Sequence, residues 1–361
     1  AVENDMDLSP LNLGMIASFY NVSYATIDVF HLSLSGTTKL RGMLEIVSSA
    51  SEFETVPIRR HEDVLLRRIY DRMPLKLDKI QFENPFHKTF ILLQAHFSRL
   101  TLPADLAQDQ RDILNRVLTL LNACVDVMSS GAMLNAIVAM EISHMCVQAV
   151  WDRDSPLRQV PHFTAATIQR CQARGINDVY ALADVLPDMS QHERDELLQL
   201  DKRQLADVAN LTNEFPYVDI EFDILDKEKL DSASTIILQA KLERDVDEED
   251  EQPSDPTAIA PFYPSPKMTA WWLVIGDPGT NSLLSIKRVT IAKTLDVRLE
   301  FMLPAGMHDK LKLYLMCDSY IGADRELDVP ALHVAQGEED EEVDDEDDIA
   351  VSYTHLRAHE T

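Results

Sequence analysis

The spacing of hydrophobic residues changes once along the chain, near Phe215. Before that point, apolar residues recur at intervals of three and four, which is typical of helices that pack on one side. After it, they alternate with polar residues or form short β-branched runs, which is typical of strands. We therefore predict a multidomain α+β protein with a helical first part and an all-β second part.

The strongest helical signal covers residues 104–129. The spacing of one helical face is followed there by Leu114, Val117, Leu118, Leu121, Cys124, Val125 and Met128. Residues 132–151 are apolar on nearly every side, so a helix formed by them needs neighbours all around. We predict a helical bundle over residues 8–153 with this second helix at its centre.

The same apolar segment, 132–151, is the nearest approach to a membrane span. It carries Asn135, Glu141, His144 and Gln148, which favour a buried protein helix. We predict that His144 is a hydrogen-bonded core histidine, with Glu141 three residues earlier as its candidate partner.

Residues 154–214 contain short helical segments joined by tight turns. The turn at Arg174-Gly175-Ile176-Asn177 predicts a helix-hairpin-helix (helix-loop-helix) domain. Two interpretations stay open for this turn: a structural hairpin, or backbone N–H groups that face a phosphate. The single glycine favours the structural hairpin.

Residues 215–334 predict about seven short antiparallel strands and an immunoglobulin-like sandwich. The clearest candidates are 217–225, 235–243, 271–276, 282–291, 296–301 and 310–316. Trp271 and Trp272 lie in one of them, and adjacent side chains on a strand point to opposite faces. We expect one indole in the core and the other outward, where it either anchors a partner protein or packs under a loop.

Charge is distributed unevenly along the 361 residues, whose formal net charge is −28. Residues 245–255 hold seven acids and residues 338–348 hold ten, without a base in either run. With these 17 acids set aside, about −11 remains, which disfavours generic binding to phosphate backbones. We predict a long exposed loop at 245–255 and an acidic disordered tail at 335–350. Residues 351–361 break the acidic bias, and we interpret them as vector-derived.

Motifs for catalysis are missing from the sequence, which has no GxxxxGKS, GxxxxGKT, GxGxxG, GxSxG or HExxH pattern. We therefore predict no catalytic residue, no cofactor and no metal site. Four cysteines without CxxC spacing predict buried free thiols in a reducing compartment. They are Cys124, Cys146, Cys171 and Cys317.

One candidate nucleic-acid surface lies on the polar side of the 104–129 helix, at Arg116, Thr119 and Asn122. Arg116 would contact a phosphate. The alternative is an ordinary solvated face, which the acids Asp112 and Asp126 on the same side favour.

A resemblance extends over residues 8–334. The segments LNLGMIASFYNVSY (11–24) and WWLVIGDPGTNSLLSIKRV (271–289) resemble the start and end of the Sec-sixty-three homology module, which follows the motor of Ski-two-like helicases. GMLEIVSSASEFETVPIRRHEDVLL (42–66) and MEISHMCVQAVW (140–151) fall in the same order. ACVDVMSS (123–130) and PHFTAATIQRC (161–171) resemble the second, C-terminal module of tandem-cassette helicases of the spliceosomal U-five particle.

This resemblance implies a helical bundle, a helix-hairpin-helix piece and a fibronectin type III-like sandwich. It also implies a non-catalytic, nuclear module of an ATP-dependent RNA helicase, which binds splicing proteins and the N-terminal cassette of its own parent chain. Weak RNA contact and no membrane contact are expected. Two alternatives stay open: a strand-guiding module of another Ski-two-like helicase, and the related module of a secretory translocon subunit.

Overall fold

The computed structural model describes residues 2–4, 7–8, 11–245 and 256–337. Within these ranges the protein is α+β, as the change of hydrophobic period predicts. The helices are α1 (Asn12–Tyr20), α2 (Tyr24–Ser33), α3 (Leu40–Ser48), α4 (Asp63–Arg72), α5 (Pro85–Phe97), α6 (Ala104–Ser130), α7 (Ile137–Gln148), α8 (Ala165–Ala173), α9 (Val179–Val185), α10 (Gln191–Leu198) and α11 (Lys202–Glu214). The strands are β1 (Val2–Asn4), β2 (Asp7–Leu8), β3 (Val218–Ile224), β4 (Ile236–Arg244), β5 (Trp271–Asp277), β6 (Ser282–Val289), β7 (Thr294–Phe301), β8 (Gly306–His308), β9 (Lys312–Cys317), β10 (Arg325–Asp328) and β11 (Leu332–Val334).

Helices α1–α7 pack around one hydrophobic core, which we call the bundle core. The longest helix, α6, has 27 residues and ends one residue beyond the predicted range. Helix α7 contacts α3, α5 and α6 and also strand β9. Every residue from Ile142 to Gln148 is buried, as the largely apolar composition of this segment predicts. The centre of the bundle is α6 instead, because it contacts α1, α2, α3, α5 and α7.

Each of the helices α8–α11 begins at a residue whose side chain caps it. Thr164, Asp178, Ser190 and Asp201 each accept a hydrogen bond from a backbone N–H in the first turn of the helix that follows. Such caps satisfy donors that a helix leaves unpaired. Gly175 joins α8 to α9 at a φ of +80°, a conformation that glycine adopts without steric cost.

The strands from β3 onward form the β region, residues 218–337. One sheet has the order β3-β4-β7 and a second has the order β10-β9-β5-β6, with all pairs antiparallel. Their inward-pointing residues share one core with α8–α11, which we call the second core. β8 and β11 form a further pair. The short strands β8, β10 and β11 were not predicted.

The chain remains ordered slightly beyond the predicted end of the β region. Ala335 forms a parallel bridge with Asp231, and its N–H donates to the carbonyl of Leu230 at 2.8 Å. The acidic tail therefore does not begin at residue 335, and that predicted boundary was wrong. The acidic runs at 246–255 and 338–348 and the last eleven residues lie outside the described residues.

Backbone hydrogen bonds join the bundle to the β region. The N–H of Leu134 donates to the carbonyl of Asn281 at 3.1 Å, and the N–H of Leu283 donates to that of Ala132 at 2.9 Å. Gly276 allows this approach, because a Cβ there would lie 2.5 Å from a Leu134 methyl group. The connection between α6 and α7 thus continues into the β5–β6 hairpin.

Candidate functional site

The two tryptophans of β5 point to opposite faces, as the strand geometry predicts. Trp271 enters the second core and Trp272 enters the bundle core. Their exposed fractions are only 2% and 3%. Trp272 faces outward from the second core, as expected, but the bundle covers it where a loop was the expected cover. Partner binding by Trp271 or Trp272 stays a prediction, and direct contact would require one of the two cores to open.

Trp272 lies beside a group of charged residues between the two cores. The Arg288 guanidinium stacks on its ring, with 3.7 Å from the Arg288 Cζ to the ring centroid. Arg288 also pairs with Asp318, and the Lys267 Nζ lies 2.6 Å from the same carboxylate. Burial acts to raise the pKa of Asp318, but Arg288 and Lys267 outweigh it and hold that pKa below its ordinary value. Asp318 therefore stays ionised and fixes both cations.

The polar side of α6 is partly covered. Arg116 is exposed, whereas Thr119 and Asn122 are half-buried. Further along, Asp126 is buried and accepts a hydrogen bond from the Tyr20 hydroxyl at 2.8 Å. Of the three candidates, only Arg116 is fully accessible to a phosphate, and nucleic-acid contact here stays a prediction.

A loop of the β region also packs along α6. The Ser265 hydroxyl donates to the Asn115 side chain at 2.8 Å, and the Tyr263 hydroxyl donates to the Leu114 carbonyl at 3.0 Å. These bonds occupy polar groups next to Arg116. The loop and the arginine together form one mixed surface of the bundle and the β region.

The backbone N–H groups of the turn between α8 and α9 form hydrogen bonds within the chain. The Gly175 N–H donates to the Gln172 carbonyl at 3.0 Å, and the Ile176 N–H donates to the Cys171 carbonyl at 3.0 Å. Ile176 is also buried in the second core. These N–H groups already have protein acceptors, which supports the structural interpretation of the turn.

His144 lies where α7 meets the β9–β10 loop. Its Nδ1 is 3.3 Å from the Cys317 carbonyl oxygen and 3.7 Å from a carboxylate oxygen of Asp324. Burial lowers the pKa of His144 and raises the pKa of Asp324 to about 7, although the Cys317 N–H donates to Asp324 at 2.6 Å. His144 is thus a core histidine as predicted, and Glu141 acts on it only through its charge.

A buried ionic network in the bundle was not predicted. Lys88 is completely buried, with its Nζ 2.7 Å from both Glu62 and Asp109 and 2.5 Å from the Pro57 carbonyl oxygen. Arg59 adds two further bonds to Asp109. Lys88 lies between His87 and Thr89 in the first turns of α5, so no pattern in the sequence indicated that it is buried. The network fixes α4 against α5 and α6.

The described residues contain no group of three His, Cys, Asp or Glu side chains that could hold a metal ion. All four cysteines are free and buried, as predicted, and a reducing compartment stays a prediction. Burial raises the pKa of the Cys124, Cys146 and Cys317 thiols, so thiolate chemistry is disfavoured. Among the described residues, no helix combines the length and the apolar character needed to cross a membrane.

Comparison with known proteins identifies the family. The model of the Sec63 Brl domain matches residues 10–330. The chain belongs to the Sec63 Brl domain family. This Sec63 Brl domain is 42% identical over 345 residues to the human U5 small nuclear ribonucleoprotein 200 kDa helicase, covering 95% of the chain and 16% of that protein.

Two further relatives agree with this membership. The Schizosaccharomyces pombe pre-mRNA-splicing factor brr2 is 46% identical over 325 residues, which is 90% of the chain and 15% of the relative. The Arabidopsis thaliana DExH-box ATP-dependent RNA helicase DExH12 is 44% identical over 331 residues, again 90% of the chain and 15% of the relative. The Sec63 Brl domain thus spans about one-sixth of the length of these proteins. The resemblance noted in the sequence is confirmed.

Proposed function

We propose that this chain is a non-catalytic protein-interaction and regulatory module of a nuclear spliceosomal RNA helicase. The observation that carries the proposal is the family match over residues 10–330, which leaves little of the chain for any other domain. The relatives are named as helicases or as a splicing factor. The parent protein would supply the ATP-dependent unwinding of U4/U6 RNA, and this module would influence it during pre-mRNA splicing.

We propose a three-part organisation for the module. A helical bundle would cover residues 8–153, a helix-hairpin-helix domain residues 154–214, and a fibronectin type III-like sandwich the β region. The strand orders β3-β4-β7 and β10-β9-β5-β6 support the sandwich, because two antiparallel sheets of three and four strands around one core are typical of that class.

The partners we propose are spliceosomal proteins and the N-terminal helicase cassette of the same parent chain. Extensive packing between the bundle and the β region supports this role. It holds the surface in one arrangement before a partner binds, so little conformational entropy is lost on binding. The splicing relatives favour this setting over the secretory translocon.

A second candidate function is guidance of a nucleic-acid strand, and the exposed Arg116 on α6 favours it. Thr119 and Asn122 would then add hydrogen bonds to the strand. The acidic charge of the chain weighs against this function, because each phosphate contact must overcome repulsion from nearby carboxylates.

The test is retention of proteins from nuclear extract, with and without RNase treatment, by the immobilised 361-residue chain, followed by mass spectrometry. We expect spliceosomal proteins among those retained, and no ATP hydrolysis by the chain alone. Retention that disappears on RNase treatment would support strand guidance in place of protein binding. ATP hydrolysis by the purified chain would contradict a non-catalytic module.

A further inference from the structure

The outer side of α4 carries an unusual set of cations for so acidic a chain. Arg67, Arg68 and Arg72 are exposed on the helix, and Arg60 is exposed just before it. None of these four arginines forms an ion pair with any residue that the structure describes. Val64 lies among them with 52% of its surface exposed. We call these five residues the α4 surface.

The α4 surface is held in place by the packing of the inner side of α4 in the bundle core. The opposite side of α4 buries Leu66, Ile69 and Tyr70 in the bundle core. The first turn is fixed by the bond from the buried Lys88 to Glu62. A helix positioned in this way loses little conformational freedom when a partner binds, so its exposed arginines are preorganised.

A groove runs along one edge of the α4 surface. It has a volume of about 630 Å³ and lies between α4 and the segment 81–85. Phe82 contributes an aromatic ring to its wall, and the Arg67 Cζ lies 4.7 Å from the centroid of that ring. A second groove of about 440 Å³ shares Phe82 and Glu83 and extends to Arg60 and Ile58. Arg60 and Arg67 therefore border a cleft with partly apolar walls, and Arg68 lies next to Arg67 on the exposed side of α4.

The chemistry of this surface selects the partner. Arginine binds carboxylates through two parallel hydrogen bonds and is enriched, together with apolar residues, in protein interfaces. Phosphate backbones fit less well, because Asp63 and Glu83 line the groove and Asp71 lies on the exposed side of α4. A nucleic-acid strand carries a negative charge at every nucleotide, so some of its phosphates would have to face these carboxylates. An acidic protein segment would instead place its carboxylates on the arginines and its N–H groups near Asp63 or Glu83.

We propose that the α4 surface and its grooves bind an acidic segment of a partner protein, which inserts an apolar side chain beside Phe82 and pairs its carboxylates with Arg60, Arg67 and Arg68. This inference rests on the proposed function and adds the chemistry of one partner. It concerns a single surface, so the protein-interaction role does not depend on it.

The test uses a display library of random 15-residue peptides, selected on the full chain. We expect the selected peptides to be enriched in Asp and Glu around one aromatic or large aliphatic residue. They should bind the Arg67→Glu/Arg68→Glu variant at least about tenfold more weakly, because two attractive contacts become repulsive. Val64→Ala should weaken binding by about two- to threefold, since Val64 supplies only apolar contact.

The matched control is Lys202→Glu/Arg203→Glu, which makes the same charge change at two exposed cations at the start of α11. We expect this control to alter peptide affinity less than about twofold. Equal weakening by both variants, or selected peptides without acidic residues, would overturn the proposal. Displacement of the selected peptides by a 15-nucleotide oligouridine would assign the surface to nucleic acid and overturn it as well. If R67E/R68E still retains all spliceosomal proteins from extract, this inference fails while the proposed function stands.

Discussion

Helices α7 and α4 belong to the same bundle, yet their polar side chains have different partners. On α7, the Gln148 amide donates to the Ser319 carbonyl at 2.7 Å, and His144 meets Cys317 and Asp324, so polar groups on this helix contact the β region. On α4, the exposed arginines form no ion pair with any residue that the structure describes, although Arg67 stacks on Phe82. A polar residue on a largely apolar helix such as α7 thus indicates a contact within the chain. An unpaired cationic face on an amphipathic helix leaves a surface for other molecules.

The largest expected effect concerns the contact between bundle and β region. Trp272→Ala removes an indole from the bundle core together with its stacking on Arg288, so we expect a loss of about 3–5 kcal/mol in the free energy of unfolding. Urea denaturation followed by circular dichroism measures it. Trp271→Ala is the matched variant for the second core and should cost a similar amount. A loss below about 1 kcal/mol for Trp272→Ala would show that the bundle does not depend on β5.

The buried network under α4 should have the next largest effect. Lys88→Met keeps the volume of the side chain but leaves Glu62 and part of Asp109 without their buried cation, so we expect a loss of about 2–4 kcal/mol. Arg59 still pairs with Asp109, which limits the damage. A thermal melt that is unchanged in this variant would indicate that the network does not hold α4 in place.

A smaller effect should depend on pH at the contact between α7 and the β region. Asp324 has a folded pKa of about 7, raised from 3.8 by burial, so its contribution to stability is present below about pH 4 and is lost as pH rises through 7. Its side chain is 25% exposed, and water reduces the effect. We expect the stability of the protein relative to Asp324→Asn to fall by about 1 kcal/mol from pH 6 to pH 8.

Urea titrations of both proteins at pH 6, 7 and 8 measure this difference. Comparison with the variant is needed because the lowered pKa of His144 contributes with the opposite sign, favouring the fold above pH 6.5. The charge of Glu141 also interacts with His144 and Asp324. A difference that is constant with pH would mean that Asp324 is already ionised in the folded protein.

The smallest effect on stability should come from the α4 surface. We expect R67E/R68E to change the free energy of unfolding by less than about 0.5 kcal/mol, because both side chains are exposed and neither forms an ion pair with a described residue. K202E/R203E should be equally mild. A large loss for R67E/R68E alone, in the same urea experiment, would show that these arginines have a structural role and would remove the contrast with α7.

The helices and main strands followed from the sequence because their signals are local. The spacing from Leu114 to Met128 defines one face of α6, and the alternation around Trp271 defines a strand. The strands β8, β10 and β11 were missed because three or four residues carry too little periodicity. The capping box of Ser190 and Glu193 marks the start of α10, and this signal is also local because it involves residues only three apart.

The environment of each side chain was harder to predict, since it depends on residues far apart in the chain. Period-two alternation separates Trp271 from Trp272 but cannot show that the bundle covers the second face. Lys88 meets Asp109 twenty-one residues later, which no spacing rule reveals. The arginines of α4 were visible in the sequence, but a charged run alone resembles an ordinary solvated face. Their lack of ion pairs with described residues is visible only in the structure, which gives the positions of the neighbouring acidic side chains.

The central claim is that exposed surfaces of this Sec63 Brl domain recognise proteins and not a nucleic-acid strand. It is tested most directly by fluorescence anisotropy of a labelled single-stranded RNA titrated with the full chain at several salt concentrations. The account predicts no saturable binding at physiological salt, and only weak association at low salt. Submicromolar binding with a steep salt dependence would contradict it. Its loss in Arg116→Glu would place the strand on α6, and its loss in R67E/R68E would place it on the α4 surface.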